Sequence, residues 1–162
     1  MTRTAKGLVY GLIGGLLVAA CPVIGAAESE DGSGDRFEQL SQSHYVRHGD
    51  SGYKVYAFKD PNCPHCTDLK EAVEGGATPH VEWRWIPVAF LGEDSLADAA
   101  ATLEEAHDID GRSAVRANME LAQELGVRSV PTVFYRDASG EVQFYVGGGE
   151  RALEGLEALA TQ

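Results

Sequence analysis

Cysteine is scarce in this chain of 162 residues. Three cysteines, at positions 21, 63 and 66, are too few for a small fold that disulfides hold together. Long apolar runs are also missing, since the longest, residues 8–20, is shorter than the roughly 20 residues that a membrane-spanning helix needs. No segment repeats at a regular period. These absences leave one small globular domain as the expected organisation.

Basic residues are few as well. The chain has 13 lysines and arginines against 25 aspartates and glutamates, which gives a formal net charge of −12. Without residues 1–27 the chain loses Arg3 and Lys6 and no acidic residue, so the charge becomes 11 − 25 = −14. This excess of negative charge argues against nucleic acid and anionic membrane surfaces as partners. It predicts a well-solvated surface instead.

The N-terminal residues have the pattern of an export signal. Arg3 and Lys6 precede the apolar run 8–20, and small residues follow at 25–27. This order of basic, apolar and small residues predicts a signal peptide over residues 1–27. The folded protein is therefore expected outside the cytosol, in the bacterial periplasm for example, where disulfides persist.

Two other interpretations of the N-terminus leave the protein tethered to a membrane. Residues 18–21, Val-Ala-Ala-Cys, resemble a bacterial lipoprotein box that would leave Cys21 lipidated. Pro22, directly after that cysteine, is unusual for the motif. The third interpretation is an uncleaved N-terminal helix that anchors the chain.

The remaining chain divides into a tether and a domain. Residues 28–43 are predicted to be a flexible linker, which is polar and glycine-rich over 28–36 and has one helical turn expected over 37–40. Residues 44–162 are long enough for one domain with one core. Periodicity and turn residues predict strands over 53–58, 81–88, 127–135 and 141–146, and helices over 64–73, 95–106, 113–125 and 150–160.

Two details of this secondary-structure prediction can be checked individually. Ser95 to Asp98 has the form of a capping box, which predicts that the helix over 95–106 begins there. Trp83 and Trp85 lie in an alternating strand and are expected to pack in the core or at its rim; a binding platform is the alternative.

The strongest chemical signal is the Cys-x-x-Cys at Cys63 and Cys66. It lies between the strand 53–58 and a helix-compatible run from Thr67 to Glu74. A thiol at a helix N-terminus is favoured as the reactive thiolate by the helix dipole and the free backbone N–H groups. We therefore predict a redox site in which Cys63 is exposed.

Two structural roles for this pair are weaker explanations. Zinc usually takes four Cys and His ligands, whereas the third cysteine, Cys21, falls in the export signal and the other histidines are scattered. A disulfide between Cys63 and Cys66 would close a very small loop and would constrain the unfolded chain little. No metal or cofactor is predicted.

Each residue of the motif has an expected role. Cys63 is predicted to attack, and Cys66, one turn deeper, to resolve the mixed disulfide. Pro64 suits the first helical position, where a missing N–H costs nothing. His65 can donate a hydrogen bond to a Cys63 thiolate, or stabilise it by charge, which favours the reduced form and makes the disulfide a stronger oxidant.

The order of the predicted elements resembles the thioredoxin fold, which is an α/β fold. The Cys-x-x-Cys at a helix start and a Val-Pro before the last hairpin are part of that resemblance. The helix pair over 95–125 resembles the insertion that disulfide-bond (Dsb) proteins carry between the second strand and the cis-proline strand. Three segments are similar to the catalytic domain of the DsbC/DsbG family: residues 56–66, 84–88 and 121–127. The similarity covers residues 44–160 and implies a thioredoxin-like domain over 44–162.

The resemblance also implies a substrate-binding element. In thioredoxin folds a cis-proline faces the cysteine pair, which implies a cis bond between Val130 and Pro131. The backbone of Val130 would then pair with an extended substrate chain, a form of strand addition. Before the pair, Asp60 and Lys59 could relay protons to Cys66, or could equally be a turn residue and a solvated charge.

Three features depart from the DsbC/DsbG pattern. The dipeptide Pro64-His65 and the residue Val130 are as in the oxidant DsbA. Residues 28–43 are too few for the N-terminal dimerisation domain of DsbC and DsbG, so a monomer is expected.

These observations predict an exported thiol:disulfide oxidoreductase, with dithiol oxidation favoured. Its expected partners are unfolded or partly folded exported proteins with cysteines, and a membrane redox partner that resets the pair. The alternatives are a disulfide isomerase or reductase of the DsbC/DsbG type, and a module without turnover that binds client proteins or carries a metal.

Overall fold

The computed structural model describes residues 32–147 and 149–160. The predicted signal peptide, residues 1–27, and Cys21 with its lipoprotein alternative lie outside the described residues. The elements, in chain order, are α1 (Gly32–Ser41), β1 (Val46–His48), β2 (Tyr53–Lys59), α2 (Pro64–Glu74), β3 (Val81–Pro87), α3 (Glu93–Ala106), α4 (Gly111–Glu124), β4 (Thr132–Arg136), β5 (Val142–Val146) and α5 (Gly149–Ala160).

The strands form one five-stranded sheet in the order β1-β3-β2-β4-β5. β2 and β3 are parallel, with Val55 opposite Trp83, and α2 is the crossover that such a parallel pair requires. All other neighbouring pairs are antiparallel, and β4 and β5 form a hairpin. α3 and α4 lie between β3 and β4 in the chain, so the predicted α/β class with a helical insertion is confirmed.

The sheet has a buried core on each of its two faces. Val55 and Ala57 of β2 pack with Leu69 of α2 and Leu156 of α5 on one face. The alternate residues of β2, together with α1 and α4, form the core on the other face. This follows from the period of two in a strand, which sends neighbouring side chains to opposite faces. The tip of β2, where the cysteine motif begins, is thereby fixed from both sides.

The two tryptophans of β3 lie in the first of these cores. Trp83 and Trp85 are both buried, and their rings stack with centroids 4.8 Å apart. The Trp83 indole donates a hydrogen bond to the Thr78 hydroxyl at 2.8 Å. The Trp85 indole nitrogen is buried and has no partner among the described residues. The prediction that both tryptophans pack in the core or at its rim is confirmed, and the place is the core.

The structure differs from the predicted linker. The linker was expected over 28–43 with one helical turn over 37–40, but a longer helix, α1, spans Gly32–Ser41. Leu40 is fully buried, and the Phe37 ring lies edge-on to Tyr56 at 4.9 Å between centroids. Phe37 and Leu40 are three residues apart, so a helix presents both on one side to the sheet. Packing thus orders a segment whose composition favours a flexible chain.

The predicted capping box is also wrong. α3 begins at Glu93, two residues before the predicted cap Ser95, and its N-cap is Gly92. The Ser95 hydroxyl instead donates a hydrogen bond to the Asp60 carboxylate at 2.8 Å. A tertiary acceptor has therefore replaced the local one that the pattern offered.

The two inserted helices pack closely at the start of α4. Asp110 caps this helix by accepting a hydrogen bond from the Ser113 backbone N–H at 2.8 Å. At Gly111, a Cβ atom would lie 2.3 Å from the Ala100 carbonyl oxygen of α3. Glycine is therefore required there by the close approach of the two helices.

Candidate active site

The cysteine motif sits at the junction of β2 and α2. Cys63 is the N-cap of α2, and its carbonyl oxygen accepts hydrogen bonds from the backbone N–H groups of Cys66 and Thr67, at 3.0 and 3.1 Å. Pro64 occupies the first helical position, where the sequence analysis placed it. The two thiols, both free in the structure, therefore lie one above the other at a helix N-terminus.

Cys63 is less accessible than its position in the sequence predicts. The residue is 7 % exposed and Cys66 is 0 % exposed. Cys63 is thus the more exposed of the pair, as expected, but the prediction that it is an exposed residue is wrong. The cause is tertiary, because the loop before β4 passes over the motif. The Cys63 thiol donates to the Val130 carbonyl oxygen, with 3.6 Å between sulfur and oxygen.

Cys66 is held in its protonated form. Burial raises the pKa of the Cys66 thiol to about 12, and its hydrogen bond with the Cys63 side chain contributes to the rise. A hydrogen bond with the backbone of Asp60 acts in the opposite direction. Since a thiolate is the nucleophile in disulfide exchange, Cys66 needs a local cause of deprotonation before it can attack.

The structure brings Val130 and Pro131 to the cysteine pair. The peptide bond between them is cis, as the family resemblance implied. The Thr132 hydroxyl donates to the Ser129 carbonyl oxygen at 2.7 Å, and the Gly147 N–H donates to the Pro131 carbonyl oxygen at 2.8 Å. These bonds fix the loop on both sides of Pro131, so the Val130 carbonyl stays over Cys63.

His65 is close in sequence but is not joined to Cys63. Its side chain is 74 % exposed, and its Nδ1 lies 3.9 Å from the Asp68 carboxylate, one turn further along α2. Within the described part of the chain, no hydrogen bond links His65 to either cysteine. The role predicted for this imidazole stays a prediction.

Asp60 is a structural residue that the sequence analysis left undecided. Its carboxylate is fully buried and accepts three hydrogen bonds: from the Asn62 N–H at 2.9 Å, the Ser95 hydroxyl at 2.8 Å and the Leu91 N–H at 2.9 Å. These donors belong to the cysteine loop itself and to the segment at the start of α3. Asp60 therefore ties the loop before Cys63 to the inserted helices. Of the two alternatives, a proton relay and a turn residue, these contacts favour the turn residue.

Lys59 lies on the same side of the sheet as Cys66. It follows Val55 and Ala57 at alternate positions of β2, and both of those residues pack against α2. Lys59 is half-buried. Burial lowers the pKa of its ammonium, and the charge of Lys70 lowers it further. The attraction between Lys59 and Cys66 opposes the rise in the pKa of the Cys66 thiol, so Lys59 is a charged group that favours the Cys66 thiolate.

The described part of the chain contains neither a cluster of metal ligands nor a helix suited to span a membrane. Across residues 32–147 and 149–160, no group of three or more His, Cys, Asp or Glu residues is placed to hold a metal ion. None of the helices in these ranges is both long enough and apolar enough to cross a bilayer.

The comparisons with known proteins agree with this geometry. The sequence profile of the family described as "Thioredoxin-like domain" matches residues 41–161. The chain therefore belongs to this family. It is also 32 % identical over 138 residues to the thiol:disulfide interchange protein DsbG of Pseudomonas aeruginosa. That alignment covers 67 % of this chain and 53 % of the relative, so the chain spans about half the length of the curated relative that it matches.

Solved structures with low sequence identity share the fold. A periplasmic thioredoxin-like protein from Salmonella enterica serovar Typhimurium matches with a TM-score of 0.61 at 18 % identity, over 79 % of this chain and 97 % of that one. The catalytic domain of Proteus mirabilis ScsC matches with a TM-score of 0.60 at 18 % identity, over 80 % of this chain and 97 % of that one. The predicted thioredoxin-like fold is confirmed. The resemblance to the DsbC/DsbG family is confirmed by the DsbG relative.

Proposed function

We propose that this member of the thioredoxin-like family is a thiol:disulfide oxidoreductase that exchanges disulfides with protein thiols through a mixed disulfide at Cys63. The observation that carries the proposal is the contact between the Cys63 sulfur and the Val130 carbonyl oxygen at 3.6 Å. It places the more accessible thiol of the pair directly beside a backbone segment that can bind an extended chain. The name of the DsbG relative, a thiol:disulfide interchange protein, supports the same chemistry.

In the oxidising direction the pair begins as a Cys63–Cys66 disulfide. A client thiolate attacks the Cys63 sulfur, the bond to Cys66 breaks, and the electron pair leaves on the Cys66 sulfur. A second client thiolate then attacks the client sulfur of the mixed disulfide and releases Cys63 as a thiolate. The client gains one disulfide, the protein becomes a dithiol, and an external disulfide or oxidising partner must restore it.

In the reverse direction Cys66 acts as the nucleophile that ends the reaction. Cys63 first attacks a client disulfide, and Cys66 then attacks Cys63 to release the reduced client. Burial opposes ionisation of Cys66, whereas the Lys59 ammonium on the same side of the sheet favours its thiolate. We therefore assign Lys59 the role of a positioning charge that assists the departure of Cys66 in one direction and its attack in the other.

The role of Lys59 can be tested separately from the reaction itself. Lys59→Met should lengthen the lifetime of the mixed disulfide during reduction of insulin, because the Cys66 thiolate loses its stabilising charge. Lys54→Met is the matched control, because Lys54 is an exposed lysine of the same strand. Equal lifetimes in both variants, measured by acid quenching and mass spectrometry, would remove Lys59 from the mechanism.

Substrate binding is proposed at the loop before β4. Val130 and Pro131 are fixed over Cys63 by the bonds of Ser129, Thr132 and Gly147. A client backbone that pairs with Val130 would bring its cysteine to Cys63 without recognition of a particular side chain. We infer that the clients are unfolded or partly folded exported proteins with cysteines.

Dithiol oxidation is the proposed direction, with isomerisation or reduction as the alternative. The dipeptide Pro64-His65 between the cysteines is the sequence feature that favours oxidation. Equilibration of the purified protein with glutathione measures the reduction potential. A value of about −120 mV supports a disulfide donor, whereas a value of about −200 mV or below overturns the oxidase assignment and supports an isomerase or reductase.

The cellular setting is also a proposal. The export-signal pattern of residues 1–27 and the similarity to a periplasmic thioredoxin-like protein of Salmonella enterica support a periplasmic location. There we expect a monomer whose cysteine pair is reset by a membrane redox partner. Fractionation of cells that express the full chain tests the location, and recovery of the protein in the cytosol would contradict it.

The activity itself is tested with a reduced, unfolded client. The oxidised protein should form disulfides in reduced ribonuclease while its own pair becomes a dithiol. Cys63→Ser should abolish this reaction. A Cys63→Ser variant that still speeds the recovery of active ribonuclease as well as the parent protein would indicate a binding module without thiol chemistry, and would overturn the proposal.

A further inference from the structure

β5 is the last strand of the sheet and its outer edge carries no paired strand in the described part of the chain. In the hairpin, the Gly147 N–H donates to the Pro131 carbonyl and the Asp137 N–H donates to the Glu141 carbonyl. These two hydrogen bonds show which residues of β4 and β5 form hydrogen-bonded pairs. Because bonding alternates along an antiparallel strand, the backbone groups of Phe144 and Val146 point away from β4. Lysine and proline, which commonly protect such edges, do not occur in β5.

The side chains of the same two residues are unusually exposed for apolar groups. Phe144 is 54 % exposed and Val146 is 56 % exposed. Both lie on the sheet face that carries α1 and α4, where the Phe144 ring stacks on Phe134 with centroids 5.7 Å apart. With Thr132, these side chains form one wall of a cavity of about 220 Å³ whose other wall is the loop 125–129.

Two arginines give this cavity a charge opposite to that of the protein. Arg36 of α1 and Arg128 of the loop both line the cavity. Neither has an ion-pair partner among residues 32–147 and 149–160. The chain as a whole has a net charge of −12, so a cavity lined by two arginines with no ion-pair partner in the described ranges stands out from its surroundings. An acidic group on a partner would complement both arginines.

We propose that the β5 edge and this cavity, here called the edge site, bind an extended segment of a partner protein. The segment pairs its backbone with Phe144 and Val146 as an added strand. On the side that faces the cavity it carries apolar side chains at alternate positions with an acidic residue between them, because a strand places alternate residues on one face. The apolar groups cover Phe144 and Val146, and the acidic group lies between Arg36 and Arg128.

The position of the edge site indicates that the partner is a client of the thiol pair. Thr132, in the cavity wall, lies opposite Phe58 at the end of β2 from which the chain leads to Cys63. A client held at the edge site therefore keeps neighbouring cysteines near the reactive thiol. This identification of the partner rests on the proposed function, whereas the binding itself needs no thiol chemistry.

A second copy of this chain fits the site less well. Two copies would meet through their β5 strands, and β5 (Val-Gln-Phe-Tyr-Val) offers no acidic side chain to the arginines. Each copy also carries the same net negative charge, which opposes association.

The test uses the full chain and a peptide without cysteine. The probe is a blocked, fluorescein-labelled heptapeptide with leucine, glutamate and leucine at alternate positions between threonines, and its binding is measured by fluorescence anisotropy. We expect binding to the parent protein, and a loss of about tenfold in affinity for the double variant Arg36→Glu with Arg128→Glu, since two favourable charge contacts become repulsive. A peptide with lysine in place of glutamate should bind about tenfold more weakly to the parent protein.

Two controls keep the outcomes distinct. Arg112→Glu with Arg116→Glu makes the same change of charge on exposed arginines of α4 and should leave peptide affinity within about twofold. Val146→Pro removes a backbone N–H that points away from β4 and should weaken binding while the sheet is retained. Thermal unfolding of each variant shows whether it is folded.

Three results would overturn the inference. The first is equal peptide affinity in the two double variants, Arg36→Glu with Arg128→Glu and Arg112→Glu with Arg116→Glu. The second is equal affinity of the parent protein for the glutamate and lysine peptides. The third is a dimer in sedimentation velocity that Val146→Pro dissociates, because a second copy would then be the occupant. Failure of the proposed function is separate, because it appears as loss of ribonuclease oxidation by a protein that still binds the peptide.

Discussion

The buried Cys66 thiol makes the stability of the reduced protein depend on pH. The pKa of this thiol is raised to about 12, chiefly by burial, whereas the pKa of an unfolded cysteine is about 8.5. A group whose folded pKa lies above its unfolded pKa stabilises the fold below the unfolded value. That stability is lost as pH rises through the window between the two values, here about 8.5 to 12.

The size of the loss follows from the width of that window. Each pH unit above the unfolded pKa costs about 1.4 kcal/mol until the folded pKa is reached. Between pH 7 and pH 10 the reduced protein should therefore lose about 2 kcal/mol of unfolding free energy through Cys66 alone. With a urea slope of about 1–3 kcal/mol/M, the midpoint should fall by about 0.7–2 M.

The assay is urea unfolding of the reduced protein at pH 7, 8.5 and 10. Tyr53, whose pKa is raised to about 12 by burial, also weakens the fold at high pH, so the Cys66→Ala variant is the reference. Between pH 7 and pH 10 the parent protein should lose about 2 kcal/mol more unfolding free energy than Cys66→Ala loses. A constant difference between the two proteins over this range would refute the placement of Cys66 as a buried, protonated thiol.

Three further predictions concern the framework of the site, and all can be read from urea unfolding at pH 7. Asp60→Ala should cost about 3 kcal/mol, because three donors lose their acceptor, one of them the buried Ser95 hydroxyl and two of them part-buried backbone N–H groups; a cost below about 1 kcal/mol would contradict the hydrogen-bond network. Gly111→Ala should cost more than about 2 kcal/mol because its Cβ would meet a carbonyl of α3, whereas Gly52→Ala, with open space around it, should change stability by less than about 0.5 kcal/mol. Trp83→Phe should cost about 1 kcal/mol more than Trp85→Phe, because of these two indoles only that of Trp83 has a hydrogen-bond partner among the described residues, and equal costs would be evidence against that difference.

The reactive motif and most of the secondary structure could be predicted because their signals are local. The spacing of Cys63 and Cys66, Pro64 at the first helical position and the apolar run of β2 are all contained in a few consecutive residues. The burial of Cys63 could not be found in this way. It depends on Val130, which is 67 residues further along the chain and reaches Cys63 only in the folded sheet.

The errors have the same origin. The sequence predicts one helical turn over residues 37–40, but a ten-residue segment such as α1 is marginal as an isolated helix, and its full length depends on the packing of Phe37 and Leu40 on the sheet. Ser95 fits a capping box in sequence, but Asp60, which is 35 residues away, takes its hydroxyl. The edge site likewise combines α1, the loop 125–129 and β5, and no local pattern connects these three segments.

The most direct test of the proposed chemistry is to trap the mixed disulfide. The reduced Cys66→Ala variant is incubated with insulin, and the covalent adduct is mapped by mass spectrometry under non-reducing conditions. We expect an adduct through Cys63 that persists, because the resolving thiol is missing, and no adduct in Cys63→Ala, whose remaining thiol is fully buried. An adduct through Cys66 in Cys63→Ala, formed as fast as the one through Cys63, would contradict the assignment of Cys63 as the attacking residue, and no adduct in either variant would contradict disulfide exchange itself.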